Sequence, residues 1–410
     1  MKPHFRYSPQ PVLEPVPGCE WASQMVLNPA IIRDPASDEL HMLFRASGPW
    51  SHKRKEGKHD PYPIFLGYAV SRDLGQTWEA DFTRPALAPA LNEELDDIFI
   101  TDIHGNRVRD YANGCIEDPR LFLVEDELYL SVACRLFPPG PYWLIDRAPF
   151  IDTRNDYVPD WVTETEGNDP FRVAARTNHT VTVLYKVDLE MLKARRYEEA
   201  FRYVCPLTEG HVSDNRDVFL FPERMRIDGK RQYVMLHRPM EPALFPQGSQ
   251  VKKPSIYLAA AEKLEDFATD RATHRLLATS QFHWEDNRIG ASWAPIKISD
   301  QEWLVSYHGK KDSHFGYTQS FMIVREQDND FPVVTHRCSE RLMYAQQAWE
   351  MPTDYPTPCL FTTGGIIVKD ELIMSYGAAD QKVGMAWVHF AELVAYVKQF
   401  DAGGGPHGKK

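Results

Sequence analysis

Five times in 410 residues the same phrase recurs: an apolar run, a polar turn, then a second apolar run ending on a polar residue. The second runs read DELHMLFR at 38–45, DELYLSV at 126–132 continuing to Arg135, GKRQYVMLHR at 229–238, DQEWLVSYH at 300–308 and DELIMSY at 370–376. Their partners lie at 28–32, 120–124, 218–221, 295–298 and 360–368. Apolar, β-prone runs bounded by turn formers are the pattern of a hairpin. A third run follows each pair, at 65–70, 181–187, 255–260, 320–324 and 383–388. Such a repeat constrains the fold strongly, because one unit cannot bury its apolar face alone and must stack on the next. Antiparallel units arranged radially leave only short edges, so the pattern predicts an all-β protein, a five-bladed β-propeller with long loops. A single catalytic domain over residues 1–400 is expected, with a short C-terminal helix within 388–400 and a disordered tail at 401–410.

Because antiparallel neighbours reverse at the turn, each first strand starts, and each second strand ends, on one rim. The polar residues at those points are Asn28 and Arg45; Asp118, Arg120 and Arg135; Arg216, Asp217 and Arg238; Arg288 and His308; Thr362, Thr363 and Asp380. The set is mostly cationic in a chain of net charge −12. A net negative field opposes nucleic acid and anionic membranes, which leaves a local site for a small anion. Guanidinium forks at Arg216, Arg238 and Arg288 match the paired oxygens of phosphate or carboxylate, and His308 adds a donor without a full charge. For any one arginine taken alone, a surface salt bridge to a nearby carboxylate is the plainer account.

The stretch GCIEDPRLFLVED at 114–126 sets Glu117, Asp118 and Arg120 around Pro119 at the mouth of an apolar strand. Asp118 and Asp380 are the candidate acids. Cleaving a glycosidic bond needs a proton for the leaving oxygen, which a carboxyl of raised proton affinity supplies. If a second carboxylate activates water, the outcome is hydrolysis; if bound phosphate attacks, no protein base is needed. Asp118 reads equally well as a strand-start cap paired with Arg120.

Six ordered motifs carry a resemblance: NGCIEDPRLF around Asp118, NRDVFLFP from Asn215, LHRP around Arg238, RIGA from Arg288, YHG around His308 and YGAAD ending on Asp380. Together they resemble glycoside hydrolase family 130, the mannoside phosphorylases. The resemblance implies a five-bladed propeller and inverting phosphorolysis of a β-mannoside, giving α-mannose 1-phosphate and a shortened acceptor. It implies Asp118 as general acid, acting through a mannose hydroxyl; Arg216, Arg238, Arg288 and His308 as phosphate ligands; and Asn28, Arg45, Asp217 and Asp380 on the sugar. No metal or cofactor is implied; inorganic phosphate is the co-substrate and a small oligosaccharide the substrate. Related β-1,2-mannosidases lack the phosphate-holding cations and use Glu residues to activate water, so Glu117 and Glu223 keep hydrolysis open. Arg288 stands where many relatives have Lys, and Trp293 in the run GASWAP is placed to alter the sugar platform. A non-catalytic carbohydrate-binding propeller is the rival from another class.

The loops are less informative. The basic loop at 47–63, with Trp50 and Tyr62, and the Pro- and aromatic-rich stretch at 137–171 suit acceptor selection, the latter as a lid or an intersubunit arm of a homo-oligomer. SRDLGQTW at 71–78 reads as a tight hairpin turn. Without a signal-type start, an apolar membrane run or a CxxC pair among its six cysteines, the chain is expected to be cytoplasmic.

Overall fold

The computed structural model describes residues 1–49, 54–55, 58–59, 61–140, 158–311, 315–353 and 357–402. Among them are five antiparallel sheets of four main strands each. Blade 1 runs Met25–Arg33, Leu40–Ser47, Phe65–Ser71 and Glu79–Asp81; blade 2 runs Cys115–Val124, Glu127–Arg135, Val181–Val187 and Phe201–Pro206. Blade 3 runs Asn215–Leu220, Lys230–Pro239, Ile256–Ala261 and Thr273–Ala278. Blade 4 runs Arg288–Ala291, Glu302–Lys311, Gly316–Gln327 and Asp330–Arg337.

Blade 5 has three strands from the end of the chain, Leu360–Val368, Glu371–Ala378 and Lys382–His389, and a fourth, Arg6–Tyr7, from its beginning. The first residues thus close the ring, pairing Arg6 with Trp387 and Tyr7 with Ala386. The sequence pattern showed none of the fourth strands; two of them, Glu79–Asp81 and Arg6–Tyr7, are too short to carry an alternation. The first strand of blade 4 also differs from expectation. Its ladder opens at Arg288–Ala291, and the expected run at 295–298 supplies only the separate two-residue pairing Ile296–Lys297.

Apolar side chains fill the seams between blades. Leu43, Leu66 and Tyr68 of blade 1 cluster with Ile116, Leu130 and Val183 of blade 2, and Ile31, Met42 and Phe44 cluster with Ile373, Val383 and Met385 of blade 5. A short repeat that the hairpin pattern did not show packs against the second strands of blades 4 and 5. In QFHWE at 281–285 and QQAWE at 346–350, the glutamate accepts backbone N–H bonds from the start of its own turn, at 2.7 to 3.0 Å. Trp284 then packs on Tyr307, the neighbour of His308, and Trp349 stacks on Tyr376, the neighbour of Gly377.

The helix Phe390–Val397 follows blade 5 as expected. Within the 137–171 stretch, Asp160–Thr163 and the start of Pro170–Thr177 are helical, the latter capped by the Asp169 side chain. Residues 141–157 of that stretch, residues 50–53, 56–57 and 60 of the 47–63 loop, and the tail from 403 lie outside the described residues. No helix among the described residues is long and apolar enough to cross a membrane.

Candidate active site

One backbone device, used in three successive blades, builds the site. In the first strands of blades 1, 2 and 3 the ladder slips: between Leu27 and Ala30, between Glu117 and Arg120, and between Arg216 and Phe219, two residues oppose one. A bulge bends its strand and re-aims a side chain. The first residue of each bulge is left-handed: Asn28 at φ 45°, Asp118 at φ 49° and Asp217 at φ 56°. Asn and Asp accept this conformation more readily than other residues with a Cβ, so the choice of residue and the shape of the strand are one decision. Glycine makes room at two places. A Cβ on Gly377 would stand 2.1 Å from Asn28 Oδ1, and one on Gly290 would stand 2.1 Å from Asp217 Oδ2 and 2.6 Å from His308.

Two of these side chains, Asn28 and Asp118, face a cavity whose described lining also includes Arg45, Glu117, Arg135, Arg216 and Asp380. The expected acid and four other expected site residues thus share one cavity. The Asp118 carboxylate is held at Oδ1 by Asn28 Nδ2 at 2.8 Å and by Arg45 at 3.0 Å. Arg120 is not its ion-pair partner. That guanidinium donates to the Asp118 backbone carbonyl at 2.6 Å and to the Asp217 carboxylate at 3.2 Å, which replaces the cap reading with a bridge between blades.

Asp217, Arg238, Arg288 and His308 are not in the described lining; they form a second layer. Arg238 Nε donates to Asp217 Oδ2 at 2.5 Å, and His308 Nε2 stands 3.4 Å from the same oxygen. Arg288 Nε is held by Asn287 at 2.6 Å. Arg216 and Arg238 do pair with carboxylates, as the plainer account supposed. Those pairs, Arg216 with Asp214 and Arg238 with Asp217, are largely buried rather than on the surface.

The charges determine who carries protons. Burial alone would push the Asp118 carboxyl up, but Arg45 and Arg120, the Asn28 hydrogen bond and Arg216 outweigh it and hold it below the usual carboxylate range. Asp380 goes the other way: burial, with repulsion from Asp118 and Glu117, lifts it to about 6 despite Arg45 and Lys310. His308 is pushed down to about 3 by burial and by Arg238, Arg120 and Arg288, against the pull of Asp217, so at neutral pH it is an uncharged donor.

Sequence reasoning missed one wall. Beside Tyr62, which the 47–63 loop offered, Tyr317, Cys359 and Phe361 line the cavity, with Phe361 against His308 at 4.7 Å and Tyr317 against Phe361 at 5.4 Å between ring centroids. Tyr317 opens a third strand, and third strands start on the rim where second strands end, so the signal was present but unused. Trp293 is not part of the sugar platform. It is 2% exposed and packs in the blade 4–5 core against Phe321. Glu223 is engaged in an exposed pair with Lys297 at 2.5 Å and is absent from the described lining of the cavity.

A closed five-bladed ring whose axial cavity gathers carboxyls, guanidiniums and aromatic rings defines a carbohydrate-active propeller. The model of the family described as beta-1,4-mannooligosaccharide phosphorylase matches residues 161–399, more than half of the chain, and the protein belongs to this family of enzymes, glycoside hydrolase family 130. Over 390 residues it is 24% identical to the 1,2-beta-oligomannan phosphorylase of Thermoanaerobacter sp. (strain X514), covering 95% of this chain and 98% of that one. Its fold matches the β-1,2-mannobiose phosphorylase from Listeria innocua, solved with β-1,2-mannobiose, at a TM-score of 0.63 and 16% identity, over 96% of this chain and 99% of that one. It also matches, at a TM-score of 0.58 and 16% identity over 94% of each chain, a structure reported with family members that hydrolyse β-1,2 mannosidic linkages in Candida mannan.

Proposed function

We propose that the protein is an inverting β-mannoside phosphorylase. The observation that carries this reading is the packing of Arg216 on the wall of the acid's cavity, with Arg238, Arg288 and His308 in the layer behind. Phosphate held among these groups attacks the anomeric carbon on the face opposite the leaving sugar. As the C–O bond to the acceptor breaks, the Asp118 proton passes through a mannose hydroxyl to the departing oxygen, and α-mannose 1-phosphate remains. Asn28, Arg45 and Asp380 hold the transferred mannose. Asp217, buried under Arg120 and Arg238, serves by fixing those cations rather than by touching sugar. Orientation of phosphate and fixed positive charge supply the acceleration. The six unpaired thiols suit a reducing, cytoplasmic setting.

Hydrolysis is the second reading, and Glu117 is its remaining base. That carboxylate lies between Arg45 at 3.2 Å and Arg135 at 3.5 Å and is held low by them and Arg216 against its burial, which suits a structural counter-charge better than a base for water. The test is a time course on β-1,2- and β-1,4-mannobiose with and without inorganic phosphate. Product release is expected to need phosphate and to yield mannose 1-phosphate; free mannose at an undiminished rate in its absence would favour hydrolysis.

The pH profile provides a separate check. In the free enzyme the guanidiniums keep Asp118 ionised, whereas the reaction needs it protonated. A phosphate dianion at Arg216, one of those cations, offsets its charge and raises the proton affinity of Asp118. Raising phosphate from limiting to saturating is therefore expected to move the alkaline limb of the rate to higher pH. A limb that stays in place, or moves to lower pH, contradicts the electrostatic link.

A further inference from the structure

A run of side chains along and behind the cavity wall includes three, Glu117, Arg135 and Asp214, to which the reaction assigns no step. Arg216 Nε donates to Asp214 Oδ1 at 3.1 Å. The other oxygen of Asp214 accepts from the backbone N–H and the hydroxyl of Thr180, each at 3.1 Å, and stands 3.6 Å from Arg135. Arg135 donates to the Asn178 carbonyl at 2.7 Å and to the Thr180 hydroxyl at 2.8 Å, and faces Glu117 at 3.5 Å. Glu117 also receives the Cys115 thiol at 3.3 Å and faces Arg45 at 3.2 Å, and Arg45 holds Asp118. The order is carboxylate and guanidinium in strict alternation: Asp118, Arg45, Glu117, Arg135, Asp214, Arg216. Apart from Arg216, every member is buried.

We infer that Asp214 is a positioning residue for phosphate: it fixes the Arg216 guanidinium by its Nε edge and, through Arg135 and Glu117, ties it to the arginine that holds the acid. A buried carboxylate between two arginines, anchored by two further donors, has one well-satisfied place to sit. Arg216 is thereby held in orientation before phosphate arrives, which lowers the ordering cost of binding. The arc also gives Glu117 its place in the cavity, as the counter-charge shared by Arg45 and Arg135. This inference rests on the assignment of phosphate to Arg216.

The test measures inorganic phosphate binding by calorimetry, without turnover, on the wild type and on Asp214→Asn and Asp214→Glu, beside KM values for phosphate and mannoside. Asp214→Asn is expected to weaken phosphate binding about tenfold with the mannoside KM within twofold, and Asp214→Glu to recover part of the loss. Equal losses for both substrates, or phosphate affinity unchanged, would overturn the inference. If Asp214→Asn does not fold, Asp214→Glu and Arg135→Lys carry the test: a weakening confined to phosphate in folded protein upholds it, and unchanged affinity in both overturns it. Wild-type protein that binds phosphate yet releases mannose without it would refute the phosphorylase reading and leave this inference standing. Wild-type protein that binds no phosphate would refute both.

Discussion

Asp118→Asn is expected to fold, since Arg45 keeps Glu117 as a counter-charge at 3.2 Å, and to lose about 10²- to 10⁴-fold in turnover, the range a positioned acid contributes. Asparagine isolates the proton from the rest of the residue's duties. It accepts the left-handed conformation that Asp118 adopts at φ 49°, where alanine would add strain of about 1–2 kcal/mol. Its side-chain oxygen still accepts from Asn28 Nδ2 and Arg45, so the cage around position 118 keeps its hydrogen bonds. What it removes is the transferable proton and the negative charge. Turnover within tenfold of the wild type, at unchanged far-UV dichroism and melting temperature, would exclude Asp118 as the acid. Loss of turnover with retained mannoside binding would in turn exclude the view of this propeller as a binding module alone.

The ring of blades and the rim were legible because both follow from alternation and strand direction. Asn28, Arg45, Asp118, Arg216 and Asp380 stand near the strand ends that the apolar runs locate, and all five line the cavity. What lay beyond the sequence was the division of the cations into two layers. That division depends on the bulges, since a one-residue slip in register decides whether a side chain faces the cavity or the neighbouring blade. Arg120 shows the effect: it lies two positions after Asp118, yet its guanidinium reaches Asp217 of the next blade. Trp293 failed for a related reason. It sits where the first strand of blade 4 is interrupted, between the pairings of Ala291 and Ile296, and there no period assigns a direction. Asp214 lies one residue before the strand that carries Arg216, so an inspection confined to strand ends passed over it.

The second large effect is expected at Asp217, where a substitution tests stability and phosphate together. Its carboxylate is the shared counter-charge of Arg120 and Arg238, at 3.2 and 2.5 Å, and all three side chains are buried. Breaking a buried pair from one side leaves uncompensated charge and costs about 3–5 kcal/mol, and here two guanidiniums lose the same partner. Asp217→Asn, which tolerates φ 56°, is therefore expected to lose about that much stability in denaturant unfolding. The pH dependence has a definite sign. Burial opposes the charge on Asp217, but Arg238, His308 and Arg120 outweigh it and hold the carboxyl far below the usual range. Its contribution is thus present above the unfolded-state carboxylate value and is lost as pH falls toward the folded-state value, so the stability gap between variant and wild type should narrow in acid. Phosphate should narrow the gap at neutral pH as well. An anion bound near Arg238 supplies some of the missing negative charge and stabilises whichever folded state binds it. If Arg238 belongs to the phosphate site, added phosphate is expected to raise the unfolding midpoint of Asp217→Asn by more than that of the wild type. Equal shifts would mean that Asp217 and phosphate do not share these cations.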